Sequence, residues 1–136
     1  MEFVITSHGS IAAGFAETLK MFFGETADCH VVSLGNEGIE DFRIKIEQTV
    51  ELIKTEDVLI FADLIGGTPF NEFAKRGERF QKEFHLLGGT NLGLLIEAMN
   101  MKLQEEKGSA IVKRLRQNTT IGFYEDLQKM TNEEDE

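Results

Sequence analysis

Along the chain, short dense apolar runs alternate with stretches in which apolar residues recur every three or four positions. The two spacings belong to buried strands and amphipathic helices, so the pattern predicts strands and helices in turn. Residues 2 to 7, rich in Phe, Val, Ile and Thr, predict a first buried strand. From Ile11 to Phe23 apolar residues stand at 11, 12, 15, 16, 19, 22 and 23, a helical spacing closed by Gly24 where a left-handed cap is expected. Residues 29 to 34 alternate weakly and predict a second strand, ended by the turn Gly35-Asn36-Glu37-Gly38. Ile39, Phe42, Ile46, Val50 and Ile53 then define the inner face of a second helix, with Asp41 and Lys45 able to pair on its outer side.

The strongest strand is Asp57-Val58-Leu59-Ile60-Phe61-Ala62-Asp63, an unbroken apolar run between two acids, as a central parallel strand covered on both faces requires. Behind it, Gly66 and Gly67 permit tight backbone, Thr68 is expected as a helix N-cap and Pro69 as the first helical residue. Phe70, Phe73 and Ala74 give that helix its apolar side. Residues 84 to 87 predict a fourth strand, followed by Gly88-Gly89-Thr90-Asn91, again a glycine pair and a capping residue. Leu92, Leu95, Ile96 and Met99 mark the next helix, Gly108 and Ser109 cap a short one through Val112 and Leu115, and residues 119 to 124 read as a terminal strand. The result is an α/β, doubly wound, mostly parallel sheet of order 2-1-3-4 in a single domain over residues 1–130. The acidic tail 131–136 is expected to be disordered.

Composition narrows the partners. The formal net charge of −10 argues against nucleic acid or an anionic membrane and suits a basic partner protein. No run approaches the roughly 18 apolar residues of a membrane span, and the N-terminus lacks a signal-peptide pattern, so a cytoplasmic location is expected. The single cysteine, Cys29, cannot form an internal disulfide and reads as a small buried hydrophobe. His30 and Cys29 would point to opposite faces of their strand, so no metal is expected, and no cofactor.

In strand order 2-1-3-4 the ends of strands one and three flank one crevice, where open α/β sheets bind ligands. His8 closes the first strand and Asp63 the third. An aspartate within reach of one imidazole nitrogen would fix the tautomer, turn the other nitrogen's lone pair outward and stabilise a positive ring. The backbone N–H groups of Gly66, Gly67 and Thr68, with those near Gly9 and Ser10, would form a nest for phosphate oxygens. A lone histidine at a strand end is usually solvated and an aspartate there is usually a turn residue. Convergence of both on one crevice with two glycine-rich helix starts favours nucleophilic phosphoryl transfer onto His8.

Ser7-His8-Gly9 after the first strand and Asp63-Leu64-Ile65-Gly66-Gly67-Thr68-Pro69-Phe70-Asn71 after the third resemble the signatures of enzyme IIA domains of the mannose family in the bacterial sugar phosphotransferase system. The likeness continues through Gly88-Gly89-Thr90-Asn91-Leu92 and covers roughly residues 2 to 124. It implies that His8 is phosphorylated by the phosphocarrier protein HPr and passes the group to a IIB subunit, which phosphorylates the incoming sugar, with Asp63 orienting the histidine. It implies a homodimer in which a C-terminal strand pairs with the partner's sheet, for which 119 to 124 is the candidate. Contact with the membrane would be indirect, through the IIC/IID permease. Leu64 and Ile65 are expected to form an apolar docking rim, joined by Phe70 unless that ring packs in the core. Many family members run on through a linker into IIB, so a free-standing IIA subunit is expected here. An acid ending strand three also admits a phosphoaspartate receiver acting through Asp63, but receivers need acids after strand one to hold Mg²⁺, where this chain has Ser7 and His8. A flavin module is conceivable on fold alone, yet there is no Trp and no hydroxyl-rich phosphate loop after the first strand.

Overall fold

Four parallel strands form the centre of the computed structural model, which describes residues 1–80, 83–118 and 121–135. They are β1 (Glu2–His8), β2 (His30–Leu34), β3 (Asp57–Ala62) and β4 (Glu83–Leu87), in the order β2-β1-β3-β4. The helices are α1 (Ile11–Phe23), α2 (Ile39–Leu52), α3 (Thr68–Ala74), α4 (Leu92–Leu103), α5 (Gly108–Gln117) and α6 (Tyr124–Asp135). The order is the one expected from the alternating pattern, and it follows from the apolar density of β1 and β3. Their interior residues are buried on both faces, so they take the middle of the sheet.

Alternation of side chains along the strands divides the core in two. Phe3, Ile5, Leu59 and Phe61 face α1, α4 and α5, packing with Ala12, Leu19, Leu95, Met99 and Ile111. Val4, Val32, Val58 and Ile60 face α2 and α3, packing with Phe42, Ile46 and Phe73. Phe3 and Phe61 meet edge to face with ring centroids 5.1 Å apart, joining the two central strands. Because α1 leaves β1 toward one face and α3 leaves β3 toward the other, a crevice opens between the two strand ends. Asp41 and Lys45 form the expected pair on α2, at 2.9 Å.

Four expectations about the elements need correction. Thr68 is the first residue of α3 and does not cap it; Gly67 holds the N-cap position and no side chain caps the helix. Gly108 likewise opens α5, with Lys107 in the N-cap position and no side-chain cap, so neither Gly108 nor Ser109 caps that helix. The terminal strand is absent where it can be seen: Ile121 to Phe123 have no strand, Tyr124 begins α6, and residues 119 and 120 lie outside the described residues. A strand there would need a ladder partner, and β4 has none beyond β3 among the described residues. The tail is not structureless throughout, since α6 runs on to Asp135, while Glu136 lies outside the described residues. Among the described residues, no helix is long and apolar enough to cross a membrane.

Candidate functional site

β1 delivers His8 to the crevice as its last residue. The turn behind it is built by Ser7, which is buried: its Oγ accepts the Ala12 N–H at 2.8 Å and donates to the Gly9 carbonyl at 3.2 Å. Ser7 thus supplies an acceptor for the start of α1, while Ser10, in the N-cap position, makes no side-chain cap bond. Gly9 adopts φ +63°, which a glycine accepts without strain. Its N–H donates to the Leu34 carbonyl at 2.8 Å. Gly9 is therefore removed from the expected phosphate nest as a donor; its part is the turn itself.

Asp63 follows β3 and extends the β1–β3 ladder by one step, its N–H donating to the Thr6 carbonyl at 3.2 Å. Its carboxylate is 10% exposed, against 43% for the His8 side chain. Oδ2 accepts the His8 backbone N–H at 3.0 Å and lies 2.9 Å from His8 Nδ1, while Oδ1 accepts the Leu64 N–H at 3.0 Å. Burial by itself would raise the Asp63 pKa, but the hydrogen bonds from the His8 ring, the His8 backbone and Leu64, with the attraction of the ring, hold it below its ordinary range. The carboxylate has no proton to give, so Nδ1 is the donor and, in the neutral ring, Nε2 carries the lone pair.

Gly67 lies against that free edge of the ring. A Cβ built on it would stand 3.0 Å from His8 Cε1 and 3.7 Å from Nε2. Gly66 beside it has φ +74°. Among the described residues, no hydrogen bond takes up the N–H groups of Ser10, Gly66, Gly67 or Thr68. The loop also brings Leu64 and Ile65 to the rim, 57% and 77% exposed, and Phe70, in the first turn of α3, is partly buried. His8, Asp63, the Gly66–Thr68 backbone and the apolar rim are therefore one cluster, as the crevice geometry required. Two further contributors carry no signal of a role in the sequence pattern. Ser7 is hidden in an apolar run, and Asn71 sits inside a helix, where its side chain turns back to the Gly66 carbonyl at 2.9 Å.

Both Asp63 oxygens are engaged by donors, and no acid of β1 stands beside them, its only acid, Glu2, lying at the strand's far end. That arrangement suits a carboxylate that orients a base and not a phosphoacceptor. His30 and His85 are occupied elsewhere, by Glu2 at 2.8 Å and Glu83 at 3.4 Å.

A doubly wound parallel sheet with a histidine–aspartate pair at its switch point defines the class: an α/β domain equipped for chemistry at an exposed imidazole. The model of the family described as PTS system fructose IIA component matches residues 2–116. The chain belongs to that family, the mannose-type enzyme IIA components of the sugar phosphotransferase system, and is a component of phosphotransferase-driven sugar uptake. It is 29% identical over 133 residues to the PTS system sorbose-specific EIIA component of Lacticaseibacillus casei, covering 87% of this chain and 96% of that one. It is 31% identical over 101 residues to the PTS system fructose-specific EIIA component of Bacillus subtilis (strain 168), covering 73% and 68%. Among solved structures it is similar to the mannose/sorbose specific IIA subunit from Enterococcus faecalis, with a TM-score of 0.75, 28% identity and coverage of 90% and 95%.

Proposed function

We propose that His8 accepts a phosphoryl group from phospho-HPr and hands it to a IIB subunit in the cytoplasm, the sugar itself being met only by IIB and the permease. The observation that carries this is the double engagement of Asp63 Oδ2 by the backbone N–H and Nδ1 of His8, which leaves Nε2 exposed against Gly67. The Nε2 lone pair attacks phosphorus, and the bond to the donor's leaving atom breaks as the new N–P bond forms. The leaving atom keeps the electron pair. The ring becomes cationic, with the Nδ1 proton retained and shared toward Asp63, whose negative charge balances it. The N–H groups of Ser10, Gly66, Gly67 and Thr68 are placed to receive phosphoryl oxygens, which carry most of the charge in a loose transition state. Reversal of the same step onto the IIB acceptor completes the relay. Leu64, Ile65 and Phe70 form the apolar rim on which both carriers dock in turn.

Association into a homodimer belongs to the same proposal. Ile121, Phe123, Leu127 and Met130 leave apolar side chains more than half exposed on the C-terminal segment. The relay is tested by incubating the protein with phosphoenolpyruvate, enzyme I and HPr. An acid-labile, base-stable adduct that disappears in His8→Ala is expected; label that survives His8→Ala and requires Mg²⁺ would move the chemistry to a carboxylate and overturn the proposal.

A further inference from the structure

We infer that Asn71 is a positioning residue for phosphoryl acceptance, tying the 64–67 loop against the His8 ring; the inference rests on the phosphocarrier reading above. Asn71 lies on the exposed side of α3, yet it holds two successive carbonyls of the loop. Its Nδ2 donates to the Gly66 oxygen and its backbone N–H to the Gly67 oxygen, each at 2.9 Å. Leu64 and Ile65 are more than half exposed, so apolar burial holds the loop only weakly. On its other side it rests on bare backbone: a Cβ on Gly88 would stand 2.6 Å from Ile65 Cγ1 and 2.7 Å from Ile65 Cα. Gly67 in turn leaves no room for a side chain against the ring, since a Cβ there would stand 3.0 Å from His8 Cε1.

The loop is thus wedged between Gly88 and His8; Asp63 Oδ1 holds its first residue at the Leu64 N–H, and among the described residues the side-chain hydrogen bond on the glycine backbone beside the ring comes from Asn71. An exposed amide–carbonyl bond adds little to folding, because water replaces it readily. Its effect is local: it limits how far the Gly66–Gly67 backbone can swing from the atom that reacts. Reacting groups held a fraction of an ångström from their productive position are what such a tie protects.

Asn71→Asp separates positioning from packing. The variant keeps the shape but replaces the donor with a carboxylate oxygen facing the Gly66 oxygen, so the tie becomes a repulsion. Wild type, Asn71→Asp and Asn71→Gln are compared for phosphorylation by phosphoenolpyruvate, enzyme I and HPr, for melting temperature, and for the His8 Cε1–H resonance by NMR. Asn71→Asp is expected to lower kcat about 10-fold or more, with KM for phospho-HPr and melting temperature unchanged and the Cε1–H resonance displaced. Asn71→Gln, which retains an amide donor, restores part of the rate. A labelled wild type with Asn71→Asp equal to it in rate and resonance overturns the inference alone. So does a rise confined to KM, which marks a docking residue, or a rate loss that follows melting temperature in both variants. A wild-type chain that takes no label overturns the phosphocarrier reading, and this inference with it.

Discussion

Asp63→Asn removes one charge from the site while keeping its shape, and the hydrogen-bond geometry says which way the new amide will turn. With its oxygen toward His8, the amide still accepts the backbone N–H and Nδ1–H; its NH₂ then opposes only the Leu64 N–H, which is exposed and can turn to water. With its NH₂ toward His8, the part-buried His8 N–H loses its acceptor, at about 1–3 kcal/mol, and the ring must adopt the other tautomer. The first orientation wins, so fold and tautomer survive. What is lost is the charge. The growing positive charge on the 43% exposed ring forfeits about 1–2 kcal/mol of attraction to the carboxylate, discounted for solvent screening. Because only this difference between resting and reacting states enters the barrier, phosphoryl acceptance is predicted to slow about 10-fold with the fold retained, read by rapid-quench transfer from phospho-HPr. A wild-type rate would refute the orienting role of the carboxylate. Complete loss of label in a folded variant would refute the assigned orientation, because it would mean that Nε2 had taken the proton or that Asp63 itself was the acceptor.

Two further outcomes concern stability and assembly. At the opposite end of β1, Glu2 accepts hydrogen bonds from His30 Nε2 (2.8 Å), the Thr55 hydroxyl (2.9 Å) and the Lys54 and Thr55 N–H groups (3.0 and 3.2 Å). Burial pushes its pKa up, but these bonds outweigh burial and bring it from 4.5 down to about 2. The folded value lies below the unfolded one, so the stabilisation, about 3 kcal/mol at most, is complete above about pH 5 and is lost as pH falls from 4.5 toward 2. Glu2→Gln should therefore unfold at lower urea than wild type at pH 7, with the two curves converging near pH 2; a constant gap across that range would contradict the linkage. Deleting residues 118–136 should convert a dimer to a monomer in sedimentation velocity with the sheet's circular dichroism retained, and an unchanged dimer mass would place the contact elsewhere.

The sheet order was legible because burial density differs so sharply between strands: Val58 to Ala62 and Phe3 to Ser7 admit only central positions, which puts His8 and Asp63 side by side. The pairing of the two residues was legible for the same reason. Donor assignments within the loops were not. Ser7, Ser10 and Thr68 are all hydroxyls near helix starts, and which one serves as acceptor depends on backbone direction that residue type does not encode; Ser7 does, and the other two do not. Gly9 carries the signal of a turn, but whether its N–H faces a ligand or β2 is decided by the β1–β2 register, in which His8 stands opposite Leu34. The segment from 121 onward misled because Ile, Phe and Tyr favour strands only when a neighbouring strand is available to pair.

The histidine's orientation is a property of the sheet before it is a property of the side chains. Asp63 reaches His8 because its own N–H continues the ladder onto Thr6, and the same carboxylate oxygen then binds both the backbone and the ring of His8. A rotation of the imidazole away from Asp63 gives up one bond, while a shift of β3 along β1 gives up all three together with the rest of the β1–β3 ladder, and carries the loop with it. The ring is therefore held more firmly against displacement along the strands than against rotation about its own axis. That difference explains why one oxygen serves both groups. Separate acceptors would hold the ring more rigidly, but would uncouple it from the strand register that places Nε2 beside the loop.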